Sequence, residues 1–187
     1  MQVEKWYQVS GVCQVSTTLY NAVINAELEV VERSPHSMVV HYVNVSRDAA
    51  ISGNYKDLKF KNNTKSLIYI AASAKGGVLS FKIFGEDTRE KDRKIAFESE
   101  IVEEKQPEGE VITVDTTKPS GYREVTQSAH TGYNAKLWKI IYINGVKKKR
   151  VLVNTSSYNA EPPHVTVGKQ QEVKKEESTK SDKKQSE

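Results

Sequence analysis

Apolar positions along this chain change their period once. Val12, Val15, Leu19, Ala22, Val23 and Ala26 recur three and four residues apart, while Gln14, Thr17, Asn21 and Asn25 fall largely on other faces. That spacing predicts one amphipathic helix, whose apolar stripe must pack against another element. Beyond it the pattern shortens to strands over residues 28–32, 38–45, 49–52, 58–60, 67–72 and 78–84. Arg33-Ser34-Pro35-His36-Ser37, Gly53-Asn54-Tyr55 and Asn62-Asn63-Thr64 turn the chain, and Lys75-Gly76-Gly77 predicts an antiparallel hairpin. One helix on a small antiparallel sheet is an α+β arrangement.

After a charged stretch the helical period does not return. Strands are expected over residues 95–103, 111–115, 124–127, 137–143, 151–154 and 165–167, punctuated by Gly109, Pro119-Ser120-Gly121, Gly132 and Asn144-Gly145. From Lys169 onward the chain is Lys, Glu, Gln, Ser and Thr with almost no apolar residue, too little to offset its conformational entropy. The expected organisation is an α+β domain over 1–86, a linker over 87–94, an extended all-β module over 95–168 and a disordered tail over 169–187.

Charge adds little to this picture. The net charge is +4, and the one dense cationic run, Lys147-Lys148-Lys149-Arg150, follows the hairpin signal Asn144-Gly145. In a strand those side chains alternate between faces, which reads as a solvated edge strand and not as a nucleic-acid surface; an anionic wall polymer is the better counter-charge. A single cysteine forms no intramolecular disulfide. No apolar run approaches a membrane span, and residues 1–10 lack the charged start and apolar core of a signal peptide.

The candidate chemistry lies in Gly11-Val12-Cys13-Gln14-Val15-Ser16-Thr17-Thr18-Leu19-Tyr20-Asn21, which sets the cysteine at the start of the predicted helix. Free N–H groups and the positive end of the macrodipole favour a thiolate there. A packed, inert thiol is the competing reading. A metal site from Cys13, His36 and His41 lacks close ligand spacing, so neither metal nor cofactor is expected. In the second segment His130 and His164 are far apart and form no catalytic set. Tyr133, Tyr142 and Tyr158 offer faces for sugar stacking, whereas Trp138, amid Leu137, Ile140 and Ile141, reads as core.

The blocks 11–21, Glu32-Arg33-Ser34-Pro35-His36-Ser37, Arg47-Asp48-Ala49 and 57–64 together resemble the C-terminal half of the VanW domain. That family is found in cell-envelope proteins of Gram-positive bacteria, sometimes beside vancomycin-resistance genes. Residues 95–168 resemble the G-five surface domain through Gly121, Gly132, Tyr142, Asn144-Gly145 and Val167-Gly168, although Ala129 stands where that pattern has glycine. This second resemblance implies binding to peptidoglycan or another N-acetylglucosamine-containing polymer. The family's upstream half is not matched, so the chain reads as a truncated copy or an internal start. An extracytoplasmic or wall-associated location follows from the family alone.

The resemblance also groups Cys13, His36 and Asp48 as polar positions of one motif. Their order is that of papain-like and NlpC-type thiol hydrolases, with Cys13 attacking a carbonyl, His36 taking its proton and Asp48 orienting the imidazole. N–H groups at the helix start, with Gln14, would support an oxyanion. The implied functions are therefore a wall-binding module and, as the alternative, a cysteine-dependent acyl-transfer or amide-cleaving enzyme acting on cell-wall peptides.

Overall fold

The computed structural model describes residues 9–169. The expected tail beyond Lys169 and the reading of residues 1–8 lie outside the described residues. The fold is α+β: one helix, small antiparallel sheets, then an all-β module. Two compact units divide the described chain. One runs to Glu108 and resumes over His130–Glu161; the other comprises Gly109–Ala129 and the chain from Pro162 onward.

In the first unit, helix α1 covers Val9–Asn25. It ends because Glu27 adopts φ 56°, letting Leu28 N–H donate to Val23 O and Glu27 N–H to Ile24 O, both at 3.1 Å. This is the paired closure that glycine normally supports. Glu27 bears the left-handed strain in glycine's place, and its carboxylate bonds Arg93 Nη2 and Lys139 Nζ, each at 2.8 Å. Those ligands outweigh its desolvation and hold the carboxyl down to about 2, the Arg93 hydrogen bond contributing most.

The helix buries a different stripe from the expected one. Val12 and Val15 are 41% and 43% exposed, whereas Ser16, Thr17, Tyr20, Val23 and Ile24 are buried. Hydroxyls can face inward here because a backbone segment awaits them. Ser16 Oγ donates to Ala49 O at 2.6 Å, and Ala49 N–H donates to Thr17 Oγ1 at 3.0 Å. One turn on, Asn21 Nδ2 donates to Arg47 O at 2.9 Å, and Arg47 Nε returns a bond to Asn21 Oδ1 at 2.8 Å.

Strand β1 (Glu29–Glu32) pairs antiparallel with β2 (Lys59–Lys61), and β3 (Tyr69–Lys75) with β4 (Val78–Phe84). The β3–β4 connection is Gly76-Gly77, both at positive φ, as a tight hairpin turn demands. β5 (Arg93–Lys105), β8 (Gly132–Ile143) and β9 (Val146–Tyr158) form an antiparallel sheet in the order β5-β8-β9. Asn144-Gly145 makes the predicted β8–β9 turn. Residues 38–45 and 49–52, expected as strands, are irregular. Their polar groups find single partners in place of a ladder: Ser37 O accepts from Asn159 N–H at 2.7 Å, Val45 O from Ser99 Oγ at 2.7 Å and Ser34 O from Ala50 N–H at 2.8 Å. The core gathers Tyr20, Ile24, Ala49 and Leu137, with Val30, Leu58, Phe97 and Val153 packed around them. Helix, irregular loop and β8 thus share one interior.

The second unit is a three-stranded sheet in the order β6-β10-β7, from β6 (Val111–Val114), β7 (Arg123–Gln127) and β10 (His164–Val167). β10 runs parallel to β6 and antiparallel to β7. A side chain at Gly168 would collide with the Pro119 carbonyl, so only glycine fits there.

Candidate functional site

Asp48 is the buried ionic centre of the first unit, 1% exposed. Arg33 Nη2 donates to its Oδ1 at 2.7 Å and the Tyr158 hydroxyl to the same oxygen at 2.6 Å. The His36 amide and His36 Nδ1 both donate to Oδ2 at 2.7 Å. A carboxylate only accepts, so Nδ1 of the imidazole carries a proton. Burial pushes the Asp48 carboxyl up, yet the His36, Tyr158 and Arg33 interactions overcome it and hold the group down to about 2. Tyr158 responds in the opposite sense: burial first, then its bond to an anion, pushes the phenol up to about 12.

Local sequence explains how the donors converge. The turn after β1 brings Arg33 and His36 to the same carboxylate, and Arg33 Nε also takes Asp48 O at 2.6 Å while Nη1 reaches Ser156 Oγ at 2.7 Å. Ser46 sits at φ 64°, and its N–H donates to the Tyr158 hydroxyl at 2.7 Å, which aims that phenol at Asp48. Gly132 lies where a Cβ would meet Asn159 C and Tyr158 O, each at 2.6 Å, so β8 packs against the end of β9 only without a side chain.

Cys13 lies in the second turn of α1, because the helix covers Val9 onward, three residues ahead of Val12, where its apolar pattern starts. The free N–H groups of the helix start are therefore upstream of the thiol, and the expected helix-start activation and oxyanion support do not reach it. Its Sγ, half-buried, donates to Ile51 O at 3.6 Å. Gln14 points to an exposed part of the helix surface. His36 and Asp48 are joined directly; no hydrogen bond joins Cys13 to His36. Tyr42 sets its ring edge-on to His36 at 6.4 Å between centroids, and its phenol hydrogen-bonds the Thr17 side chain. Desolvation raises that phenol above its usual value. His41 is exposed, and among the described residues no group of three or more His, Cys, Asp and Glu side chains is placed to hold a metal ion.

Sequence reasoning missed Arg33, Tyr42, Ser156 and Tyr158 as partners of this cluster. Tyr158, expected as a sugar-stacking face, is 1% exposed and bound to Asp48. Trp138, expected in the core, is half-buried instead, with the Arg150 guanidinium 4.2 Å above its ring and its Nε1 donating to Glu100 at 2.5 Å. Lys147, Lys148, Lys149 and Arg150 are exposed along β9, an edge of its sheet. No described helix is long and apolar enough to cross a membrane.

Comparison with known proteins adds family context to this geometry. Over 77 residues the chain is 40% identical to YoaR, an uncharacterized protein of Bacillus subtilis (strain 168); the match covers 41% of this chain and 25% of that relative. The chain thus spans about a quarter of that relative's length. A solved G5 domain of an IgA1 protease aligns over 42% of this chain and 94% of its own, at 20% identity and a TM-score of 0.28. Residues 6–84 match the family model described as VanW like protein, and residues 97–170 match the G5 domain model. The chain joins a VanW-like segment to a G5 domain.

Proposed function

We propose that this chain is a cell-envelope module, extracytoplasmic or wall-associated, that binds peptidoglycan or another N-acetylglucosamine-containing polymer. The succession of a VanW-like segment and a G5 domain carries this reading. Two features of the molecule agree with it. Asp48 is saturated by four donors and acts as a clasp, not as a proton carrier. The exposed cations of β9, with Trp138 under Arg150, offer a surface for an anionic, sugar-bearing polymer. Co-sedimentation of the full chain with purified peptidoglycan tests it. The chain is expected in the pellet, less so at high salt, and less again when Lys147, Lys148 and Lys149 are changed to Ser. A chain that stays in the supernatant at low salt overturns the reading.

A second reading rests on the His36–Asp48 pair. The imidazole is oriented by a buried carboxylate while His36 keeps 18% of its side chain exposed, and Cys13 is half-buried in the same unit. In that reading Cys13 attacks an amide carbonyl of a wall peptide, His36 takes the thiol proton and returns it to the amine that departs as the C–N bond breaks, and Asp48 holds the ring. Alkylation of Cys13 as a function of pH, with His36→Ala as control, decides it. Rapid alkylation well below pH ~8.5 that slows in the variant supports a Cys–His pair. Alkylation that needs denaturant removes it.

A further inference from the structure

The β3–β4 hairpin stands as a two-stranded sheet, and among the described residues no strand pairs with the far edge of β3. The direction of its backbone groups follows from the turn. The two-residue Gly76-Gly77 connection makes Lys75 and Val78 a hydrogen-bonded pair. By alternation Ser73, Ala71 and Tyr69 turn their N–H and C=O toward β4, and Ile70, Ala72 and Ala74 turn theirs outward. Three donors and three acceptors therefore line one open edge.

Three other strand edges among the described residues are guarded. β9 carries Lys147-Lys148-Lys149-Arg150, β5 carries Glu98, Glu100, Glu103 and Glu104, and β6 is only four residues long. Charge and brevity are the usual defences of an edge. β3 has neither. It is seven residues, Tyr-Ile-Ala-Ala-Ser-Ala-Lys, without proline and with one charge at its end. Its flanks expose apolar surface: Leu67 at 93%, Tyr69 at 69%, and Phe84, whose ring lies 6.2 Å from that of Tyr69.

We propose that this edge pairs with the same edge of a second copy, giving an antiparallel four-stranded sheet in the order β4-β3-β3-β4 across a two-fold axis. The register follows from the outward groups. With Ala72 opposite Ala72 of the second copy, Ile70 faces Ala74 and the outward groups on both strands meet in hydrogen-bonded pairs. In that register Lys75 lies opposite Tyr69, and the two lysines sit at opposite ends of the pair. Small side chains at Ala71, Ala72, Ser73 and Ala74 leave both faces open to close approach. A two-fold contact of this kind closes on itself and stops at a dimer.

Sedimentation of the full chain over a range of concentrations tests the proposal. The expected result is a concentration-dependent doubling of the 21.0 kDa protomer mass. Ala72→Pro removes an outward N–H without touching the β4 ladder, and is expected to leave the monomer. Charge pairs check the register independently. Ile70→Lys with Ala74→Lys sets like charges opposite one another and should weaken association at least tenfold, whereas Ile70→Glu with Ala74→Lys sets opposite charges there and should retain the dimer. Monomer at every concentration overturns the proposal and leaves the edge to a strand of another protein. A dimer unaffected by all three variants also overturns it, since it would use another surface.

Discussion

Asp48 shows how much one side chain can organise. Replacing it with Asn leaves the Arg33 guanidinium buried without its anion, a loss of about 3–5 kcal/mol for a broken buried pair. The same group makes stability depend on acid. Its carboxyl titrates near 3.8 in the unfolded chain and at about 2 in the folded one, so the folded state binds fewer protons across that window. The resulting stabilisation, about 2 kcal/mol, is present above pH 3.8 and disappears as pH falls through 2. Urea midpoints at pH 7, 4 and 2.5 should fall in that order, and Asp48→Asn should flatten the acid arm. His36 and Asp48 were legible as motif positions through the family resemblance, which groups them with Cys13. Arg33 was passed over inside its turn, and Tyr158 could not be assigned because nothing in a sequence marks which carboxylate a tyrosine 110 residues away will meet.

At the scale of elements, helix α1 is docked by polar bonds as well as apolar ones. Thr17 contacts both the N–H and the C=O of Ala49. Thr17→Val keeps the shape and volume but leaves the buried Ala49 N–H without its partner, so a loss of about 1–3 kcal/mol is expected in thermal or chemical unfolding. This is also why the helix was legible while its buried face was not. Apolar spacing marked Val12 and Val15 as inward, yet the loop from Arg47 to Ala49 needs hydrogen-bond partners, and Ser16, Thr17 and Asn21 supply them. Hairpins at Gly76-Gly77 and Asn144-Gly145 were readable because their turn chemistry is local. Residues 38–45 have strand-like composition but close with Ser46 in the left-handed region, and their carbonyls are taken singly by neighbours. Composition reports fitness for a pleated surface, not whether a partner strand is present.

For the whole molecule, the consequential fact is that one compact unit holds α1 together with β5, β8 and β9. A fragment ending at residue 94 would keep the helix, the β1–β2 pair and the β3–β4 hairpin. It would lose Leu137, Phe97 and Val153 from the core, and Tyr158 and Ser156 from the ionic cluster. Such a fragment is expected to give a collapsed amide proton spectrum and no cooperative melt, and the full chain is expected to melt cooperatively.

The link between Asp48 and Tyr158 also sets a clock. Residues that make the first helix leave the ribosome early, but the phenol that completes their interior is synthesised 110 positions after the carboxylate it binds. Until then Asp48 and Arg33 have only each other and the His36 turn, and Tyr20 and Ile24 lack Leu137. Contacts so distant along the chain place this fold among slow folders, closing in milliseconds to seconds. The N-terminal segment must therefore wait, half-made and apolar, for its own last strand. Its survival through that interval depends on the pace of elongation and on whatever holds nascent chains apart, more than on the final stability of the molecule.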